Sequence, residues 1–254
     1  MAASTDSKTI VLITGANSGI GYELASQLLA KGTYHILLCA RSPSKGAAAV
    51  AALRAQHPTH SSNITSLTLD VTSDVTITAA ADKIAQDYGR LDILVNNAGI
   101  TAATPPLRAQ MRLAFDTNAT GPAVVGEAFA PLLRAAAARG TTPRIVNVSS
   151  GAGSIASRLD KTAFIHDADL LQYRASKAAL NMVTVCQAWA FADVGAKVFA
   201  FCPGFTVSEI SPQNTAEAGA RATQESVLPL VDVLEGKRDK EAGMFLHEGG
   251  TYPW

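Results

Sequence analysis

The stretch TIVLITGANSGIG, residues 9–21, decides the fold of this chain. Residues 9–14 are almost continuously apolar, as in a strand that is buried on both faces of a parallel sheet. Residues 18–31 then carry apolar side chains at helical spacing. A segment with three glycines joins the two elements. The stretch therefore predicts a buried strand, a tight glycine-rich turn and a helix.

Gly15, Gly19 and Gly21 are spaced G-x-x-x-G-x-G in this turn. In dinucleotide-binding folds, glycines at such a turn let the backbone approach a pyrophosphate and let the helix pack closely on the strand. The phosphate then lies on the free N–H groups at the helix N-terminus. A glycine-rich surface turn is the alternative interpretation. The position after the first strand of a βαβ unit favours a phosphate-binding loop.

Beyond this stretch, short β-branched runs alternate with longer helix-forming segments along the whole chain, and no linker or internal repeat divides it. This alternation predicts an α/β fold, namely a single-domain, Rossmann-type, doubly wound parallel sheet of about seven strands with helices on both faces, over residues 1–254. Predicted strands lie at 9–14, 34–39, 64–70, 92–97, 144–150, 197–202 and 243–246, and predicted helices at 18–31, 45–55, 73–88, 107–138, 173–194 and 222–235.

The composition argues against several classes of protein. Apolar residues make up 48% of the 254 residues, which is enough for a folded core. Lys plus Arg and Asp plus Glu each total 21, so no net charge attracts the chain to nucleic acid or to an anionic membrane. The N-terminal segment has no apolar signal-peptide core, and no apolar run approaches the ~20 residues that cross a bilayer. We expect a cytoplasmic protein with a small-molecule ligand and with no nucleic-acid or membrane partner.

The three cysteines, Cys39, Cys186 and Cys202, lie far apart in apolar runs. They are predicted to be buried, reduced thiols rather than a disulfide or metal site. The five histidines form no zinc-type cluster, so no metal is expected.

The end of the second predicted strand bears on the choice of cofactor. A carboxylate there would accept the 2′-hydroxyl of NAD and repel a 2′-phosphate. The strand instead ends Cys39-Ala40-Arg41-Ser42, with no acid, and Lys45 follows. An arginine can bind a phosphate with two parallel hydrogen bonds. A solvated arginine is the alternative, but the pattern favours NADP(H).

Tyr173 and Lys177 are four residues apart, so a helix places them on one face. A free tyrosine titrates near 10, too high for easy proton exchange at neutral pH. A nearby lysine ammonium, together with an oxidised nicotinamide, is expected to lower that pKa. Ser150 ends a predicted strand just upstream, and its hydroxyl can hold a carbonyl oxygen for proton and hydride. These residues predict the reduction of a carbonyl to an alcohol.

In its motifs and their order, nearly the whole chain resembles the short-chain dehydrogenase/reductase family. The resemblance implies a catalytic tetrad of Asn118, Ser150, Tyr173 and Lys177, in which Asn118 holds a water against the lysine and Lys177 also binds the nicotinamide ribose. The implied contacts to NADP(H) are Gly15, Asn17, Ser18, Gly19, Ile20 and Gly21 in the loop, Arg41 and Ser42, Asp70 and Val71 at the adenine, Asn97, Ala98 and Gly99 after the fourth strand, Tyr173 and Lys177, and Pro203, Gly204, Thr206 and Ser208 at the nicotinamide.

One feature departs from most members of that family. Ser150 and Tyr173 are 23 positions apart, and the extra residues fall in an insertion at 151–172 beside the cleft. It is either a tolerated surface insertion or a wall that contacts substrate. His166, Asp167 and Asp169 within it are better explained as solvated loop charges than as substrate contacts. The segment 205–221 is expected to form the substrate loop, and its mixture of apolar and small residues suggests a moderately apolar substrate.

The expected function is therefore that of an oxidoreductase that reduces a ketone or aldehyde with NADPH, or runs the reverse, with hydride from nicotinamide and a proton from Tyr173. The closest similarity within the family is to fungal and C-factor-like members, many of which reduce ketones in secondary metabolism. Two alternatives remain open: a catalytically silent NADP(H)-binding regulatory protein, and a dehydration or cyclisation in the same pocket.

Members of the family commonly pair as dimers or tetramers through their long helices, so a homo-oligomer is possible. The residues Met182, Val185 and Trp189 could form such a face or belong to the core. The insertion at 151–172 could also obstruct the pairing.

Overall fold

The structure is a computed structural model that describes residues 7–103, 106–162 and 169–254. Within these residues, eight strands form one sheet in the order β3-β2-β1-β4-β5-β6-β7-β8. All neighbours pair in parallel except β7 and β8, which are antiparallel. The strands are β1 (Thr9–Ile13), β2 (Tyr34–Ala40), β3 (Ile64–Thr68), β4 (Ile93–Asn96), β5 (Arg144–Val148), β6 (Lys197–Phe201), β7 (Phe245–His247) and β8 (Gly250–Tyr252).

Helices cover both faces of this sheet, which confirms the predicted Rossmann-type architecture. The sequence of β1 shows why: Val11 and Ile13 contribute to one apolar core, and Ile10 and Leu12 to the other. A strand buried on both faces must be apolar throughout. The helices are α1 (Gly19–Lys31), α2 (Pro43–Gln56), α3 (Asp74–Asp87), α4 (Leu107–Phe115), α5 (Gly121–Ala138), α6 (Ile155–Leu159), α7 (Leu171–Ala190) and α8 (Thr223–Leu234).

The sheet has eight strands where the sequence predicts about seven, and the additional strand is β8. It is three residues long and pairs with β7 through a hairpin in which His247 faces Gly250. A strand of three residues that begins with glycine has no alternating apolar pattern to reveal it.

The predicted helix at 107–138 is interrupted by one wide π-turn at Asp116–Thr120, which separates α4 from α5. Here the amide of Gly121 donates to the carbonyl of Asp116, five residues earlier. The next residue, Pro122, has no N–H, so the regular helical donor to the Asn118 carbonyl is missing. Such turns are frequent at functional sites.

The long helix α7 presents an apolar stripe to solvent. Met182, Val185 and Trp189 are 64%, 40% and 85% exposed, so they do not belong to the core. Cys186 lies beside them and is also exposed, and its predicted burial is wrong. The apolar run around it lies on the outer side of an amphipathic helix. Cys39 and Cys202 are buried, as expected.

Two features of the described residues bear on partners and ligands. No helix among them is both long and apolar enough to span a membrane. The same residues contain no group of three or more His, Cys, Asp or Glu side chains placed to hold a metal ion.

Candidate active site

A cleft of about 490 Å³ opens at the carboxyl ends of the parallel strands. Between β1 and β4 the strand order changes direction, and ligands of doubly wound sheets bind at such a point. Nearly all predicted site residues meet here, although they come from loops after six different strands. Those that line the cleft are Gly15, Asn17, Ser18, Gly19, Ile20, Arg41, Ser42, Asp70, Val71, Asn97, Ala98, Gly99, Ser150, Tyr173, Lys177, Pro203, Gly204, Thr206 and Ser208.

Gly21 lies beneath the glycine-rich loop and does not line the cleft. A Cβ on Gly21 would lie 2.5 Å from Nδ2 of Asn97, and a Cβ on Gly15 would lie 2.9 Å from Cα of Ala98. The Asn97 amide donates to the carbonyls of Thr14 and Gly15 at 2.8 and 3.1 Å. The glycines therefore let the loop after β1 pack directly on the loop after β4.

The N-terminus of α1 faces the cleft without a competing anion. Within the described chain, Ser18 makes no side-chain cap and the first turn holds no acidic residue. Gly19 has φ +57, and the nearest atom to a Cβ placed there is Cβ of Ser208 at 3.6 Å. Free amides, an uncompensated helix dipole and an open approach suit a pyrophosphate group.

Arg41 and Lys45 supply positive charge at one end of the cleft, and both are exposed. In the described chain, Arg41 forms no ion pair. Ser42 caps α2, since its Oγ accepts the amide of Lys45 at 3.4 Å. Asp70 also lines this end, but its Oδ1 accepts the Thr72 amide and hydroxyl at 3.0 and 2.8 Å. The Asp70 carboxylate is therefore partly satisfied within its own turn.

The proton-transfer groups lie in the middle of the cleft. Tyr173 and Lys177 share one face of α7, and Nζ of Lys177 lies 5.8 Å from the centre of the Tyr173 ring. The ammonium donates to the carbonyl of Val148 at 2.7 Å, which ties α7 to the end of β5. Ser150 lines the same cleft, and its side chain acts to lower the pKa of Tyr173. Ser150 also accepts the amide of Ala152 at 3.2 Å.

Burial dominates the electrostatics of this pair. It raises the pKa of Tyr173 to about 12, against the opposing effect of the Ser150 side chain. It lowers the pKa of Lys177 to about 8. The sequence predicts a lowered tyrosine pKa when both the lysine and an oxidised nicotinamide are present. In the protein alone, the pKa of Tyr173 is raised instead. The physical reason is that the phenol loses water while the ammonium, itself buried, is directed at Val148.

Asn118 lies in the π-turn and is fully buried, so its side chain does not line the cleft. Its Oδ1 accepts the Ile100 amide at 2.9 Å, and its Nδ2 donates to the Ile100 carbonyl at 2.8 Å. A Cβ on Gly99 would lie 3.4 Å from Asn118 Oδ1 and 3.6 Å from Lys177 Nζ. Gly99 thus leaves space between the asparagine and the lysine. The Asn118 side chain positions the loop after β4.

The segment 205–221 is held against the cleft by polar contacts. The Thr206 hydroxyl is buried and bonded to that of Ser226 at 2.9 Å. Asn214 donates to the Thr206 carbonyl at 2.9 Å, and Thr101 donates to the Ile210 carbonyl at 3.1 Å. The second contact joins this segment to the loop after β4.

In the insertion at 151–172, no residue of the described parts, 151–162 and 169–172, lines the cleft. Ile155 and Leu159 are 65% and 78% exposed, and Asp169 is exposed as well. This part therefore fits the surface-insertion alternative. His166 and Asp167 lie outside the described residues.

Sequence reasoning missed several residues of the cleft. Cys202 is buried, as its apolar surroundings predict, but it also lines the cleft, which they do not. Leu113 is 47% exposed on α4, and no motif marks it. The remaining unpredicted lining residues are Leu69, Thr72, Ile100, Asp116, Thr117, Val148 and Ser149, whereas Glu209, Ile210 and Asn214 belong to the predicted substrate loop at 205–221. Most come from irregular segments without periodicity, so only the folded chain brings them together.

Comparison with known proteins agrees with this geometry. The family described as short chain dehydrogenase matches residues 9–219. Short-chain dehydrogenase anuI of Penicillium roqueforti (strain FM164) is 38% identical over 95% of this chain and 93% of its own. Short-chain dehydrogenase/reductase tropE of Talaromyces stipitatus is 31% identical over 97% of this chain and 98% of its own.

Among solved structures, the NADPH-bound carbonyl reductase from chicken fatty liver superposes with a TM-score of 0.82. It is 32% identical, with 97% of this chain and 99% of that chain covered. The family match over residues 9–219, on a fold shared over almost the whole chain, shows that this protein belongs to the short-chain dehydrogenase/reductase family of oxidoreductases.

Proposed function

We propose that this protein reduces a ketone or aldehyde to an alcohol with NADPH, or runs the reverse reaction, with Tyr173 as the proton donor. The observation that carries the proposal is the meeting of Ser150, Tyr173 and the buried Lys177 in one cleft, with Nζ of Lys177 5.8 Å from the centre of the Tyr173 ring. A proton donor, an oxyanion partner and a fixed cation together suit the formation of an alcohol from a carbonyl.

NADP(H) fits the residues at the Arg41 end of the cleft and at the N-terminus of α1. Arg41 and Ser42 would hold the 2′-phosphate, and Asp70 and Val71 would contact the adenine. The uncapped N-terminus of α1 suits the pyrophosphate. Of the proteins similar to this one, the chicken enzyme is described as NADPH-bound, and a Bos taurus relative, 35% identical over 58% of this chain, is named carbonyl reductase [NADPH].

Bound NADPH would supply the hydride that reaches the carbonyl carbon. The chain itself supplies the rest of the chemistry. Ser150 donates a hydrogen bond to the carbonyl oxygen and orients it, and Tyr173 passes its proton to that oxygen as negative charge develops there. The Lys177 ammonium then stabilises the tyrosinate electrostatically, which offsets part of the cost of burial.

Reprotonation of Tyr173 needs a route from solvent to Lys177. The Asn118 carbonyl lacks its regular helical donor because of Pro122, and Gly99 leaves space beside Lys177 Nζ. A water held by that carbonyl and Lys177 would return the proton. Asn118 would thus act through its backbone, while its side chain holds the loop after β4.

The substrate would be a moderately apolar carbonyl compound. Ile100, Leu113 and Ile210 line the cleft, and Asp116 and Glu209 add two exposed carboxylates. The similarity to the fungal proteins anuI and tropE favours a role in fungal secondary metabolism. Because all eight strands share one sheet, we propose that the chain works as a single domain.

The proposal is tested by following NADPH consumption with a panel of aliphatic and aromatic ketones and aldehydes. Each substrate is run with wild type and Tyr173→Phe, and the product is identified by mass. Formation of the alcohol by wild type alone supports the proposal. A silent sensor would bind NADPH with no turnover, and a dehydratase or cyclase would change the substrate with no NADPH consumed.

A further inference from the structure

The turn that follows Ser150 is enclosed on two sides. A Cβ on Gly153 would lie 2.7 Å from the backbone carbonyl carbon of Lys177, and a Cβ on Gly151 would lie 3.0 Å from Cζ of Tyr252. One side of the turn therefore packs on α7, the helix that carries Tyr173 and Lys177. The other side packs on the ring of Tyr252 in β8. The position of Ser150 relative to Tyr173 depends on both contacts.

Cys202 links Tyr252 to this turn. Its sulfur accepts the amide of Gly151 at 3.2 Å and the amide of Gly204 at 3.4 Å. Tyr252 packs against the cluster that contains this sulfur, its hydroxyl lowers the pKa of the Cys202 thiol, and a Cβ on Gly151 would lie 3.1 Å from that hydroxyl. A thiol is a weak acceptor, yet here two backbone amides converge on one that is 6% exposed. Cys202 thereby joins the residue after Ser150 to the loop that follows β6.

The neighbouring residues keep Tyr252 in place. β8 pairs Tyr252 with Phe245, and Trp254 stacks on the Phe245 ring at 5.7 Å. Two hydrogen bonds reach from the insertion to the residues after Tyr252. Ser154 Oγ donates to the Pro253 carbonyl at 2.7 Å, and the Ala156 amide donates to that of Trp254 at 3.2 Å.

We infer that Tyr252, together with the Cys202 sulfur, is a positioning residue. The two hold the turn after Ser150 so that the Ser150 hydroxyl is kept in place beside Tyr173. This inference rests on the proposed function. Tyr252 itself does not line the cleft, whereas Cys202 and Ser150 do. The contacts that Tyr252 and Cys202 make at Gly151 set the direction of the backbone where it leaves Ser150, and hence the direction of the Ser150 hydroxyl.

The test compares Tyr252→Phe, Cys202→Ala and Cys202→Ser with wild type, and uses Tyr88→Phe as the matched control. Tyr88 loses an equivalent hydroxyl, bonded to His35 at 2.9 Å, outside the cleft. Each protein is measured for kcat and KM with a ketone, for the NADPH dissociation constant, and for amide hydrogen exchange of residues 150–154.

Tyr252→Phe should lower kcat by about 3- to 10-fold, because the Ser150 hydrogen bond to the carbonyl oxygen is weakened in the transition state. Its KM for ketone and its NADPH dissociation constant should change by less than about two-fold. Exchange at residues 150–154 should accelerate. Cys202→Ala should lower kcat further and weaken NADPH binding, because the Gly204 amide loses its acceptor as well. Cys202→Ser keeps an oxygen acceptor and should recover most of the activity.

A normal kcat in Tyr252→Phe, or an equal loss in Tyr88→Phe, would overturn the inference, because the contact would then serve stability alone. Unchanged exchange in both Tyr252→Phe and Cys202→Ala would overturn it too. If wild type reduces no ketone, the proposed function fails. The exchange rates, measured without cofactor, then decide whether Tyr252 and Cys202 hold the turn.

Discussion

Replacement of Arg41 is the sharpest test of the cofactor assignment. The residue follows β2 at the end of the cleft, and the ion pairs of the described chain leave its guanidinium free to bind a phosphate. Lys45 lines the same end from the first turn of α2. Wild type should therefore prefer NADPH to NADH, and Arg41 should provide most of that preference.

The size of the preference follows from the exposure of Arg41. A charge-assisted hydrogen bond contributes roughly 1.5–3 kcal/mol, while exposed ion pairs contribute about 0–1 kcal/mol. A bidentate arginine–phosphate contact at an exposed site should contribute about 1.5 kcal/mol to binding, which corresponds to about a ten-fold preference in kcat/KM. Arg41→Ala should reduce the preference to about two- or three-fold, supported by Lys45. Arg41→Asp adds repulsion of similar size and should reverse the order to about ten-fold in favour of NADH.

The test is to measure kcat/KM with NADPH and with NADH for wild type and both Arg41 variants by steady-state kinetics. Lys197→Asp is the control, because it changes the net charge equally at the opposite, N-terminal end of β6. Its NADPH:NADH ratio should equal that of wild type. Raising the ionic strength should diminish the preference, since exposed charges are screened. Equal use of the two cofactors by wild type, or an equal shift in Lys197→Asp, would refute the reasoning.

Three further predictions concern the catalytic groups and α7. Tyr173→Phe should bind NADPH normally in a calorimetric titration, yet lose roughly 10²–10⁴ in kcat, because only the proton donor is removed; near-normal turnover would exclude it from the mechanism. Wild-type ketone reduction should fall as pH rises through about 8, because Lys177 loses its proton there. Lys177→Met should lack this limb of the pH–rate profile and bind NADPH more weakly; an unchanged limb would assign it to another group. If copies pair through the exposed face of α7, Trp189→Glu should shift sedimentation towards monomer, whereas Val75→Glu, at an exposed residue of α3, should not.

Much of this protein follows from its sequence because the relevant signals are local. The apolar run of β1, the helical spacing of α1 and the glycines between them specify one βα unit. Four residues of spacing are enough to place Tyr173 and Lys177 on one helical face. The absence of an acid after β2 is likewise a local fact. Each of these signals depends on backbone geometry over a few residues, which tertiary packing does not alter.

Other features were decided by contacts between distant parts of the chain. The burial that raises the pKa of Tyr173, the use of the Asn118 side chain to hold Ile100, and the meeting of Cys202 with Tyr252 depend on residues far apart in sequence. β8 forms because the edge of β7 supplies its backbone hydrogen-bonding partners. Desolvation and long-range hydrogen bonds have no period along a sequence, so they emerge only when the folded chain brings their partners together.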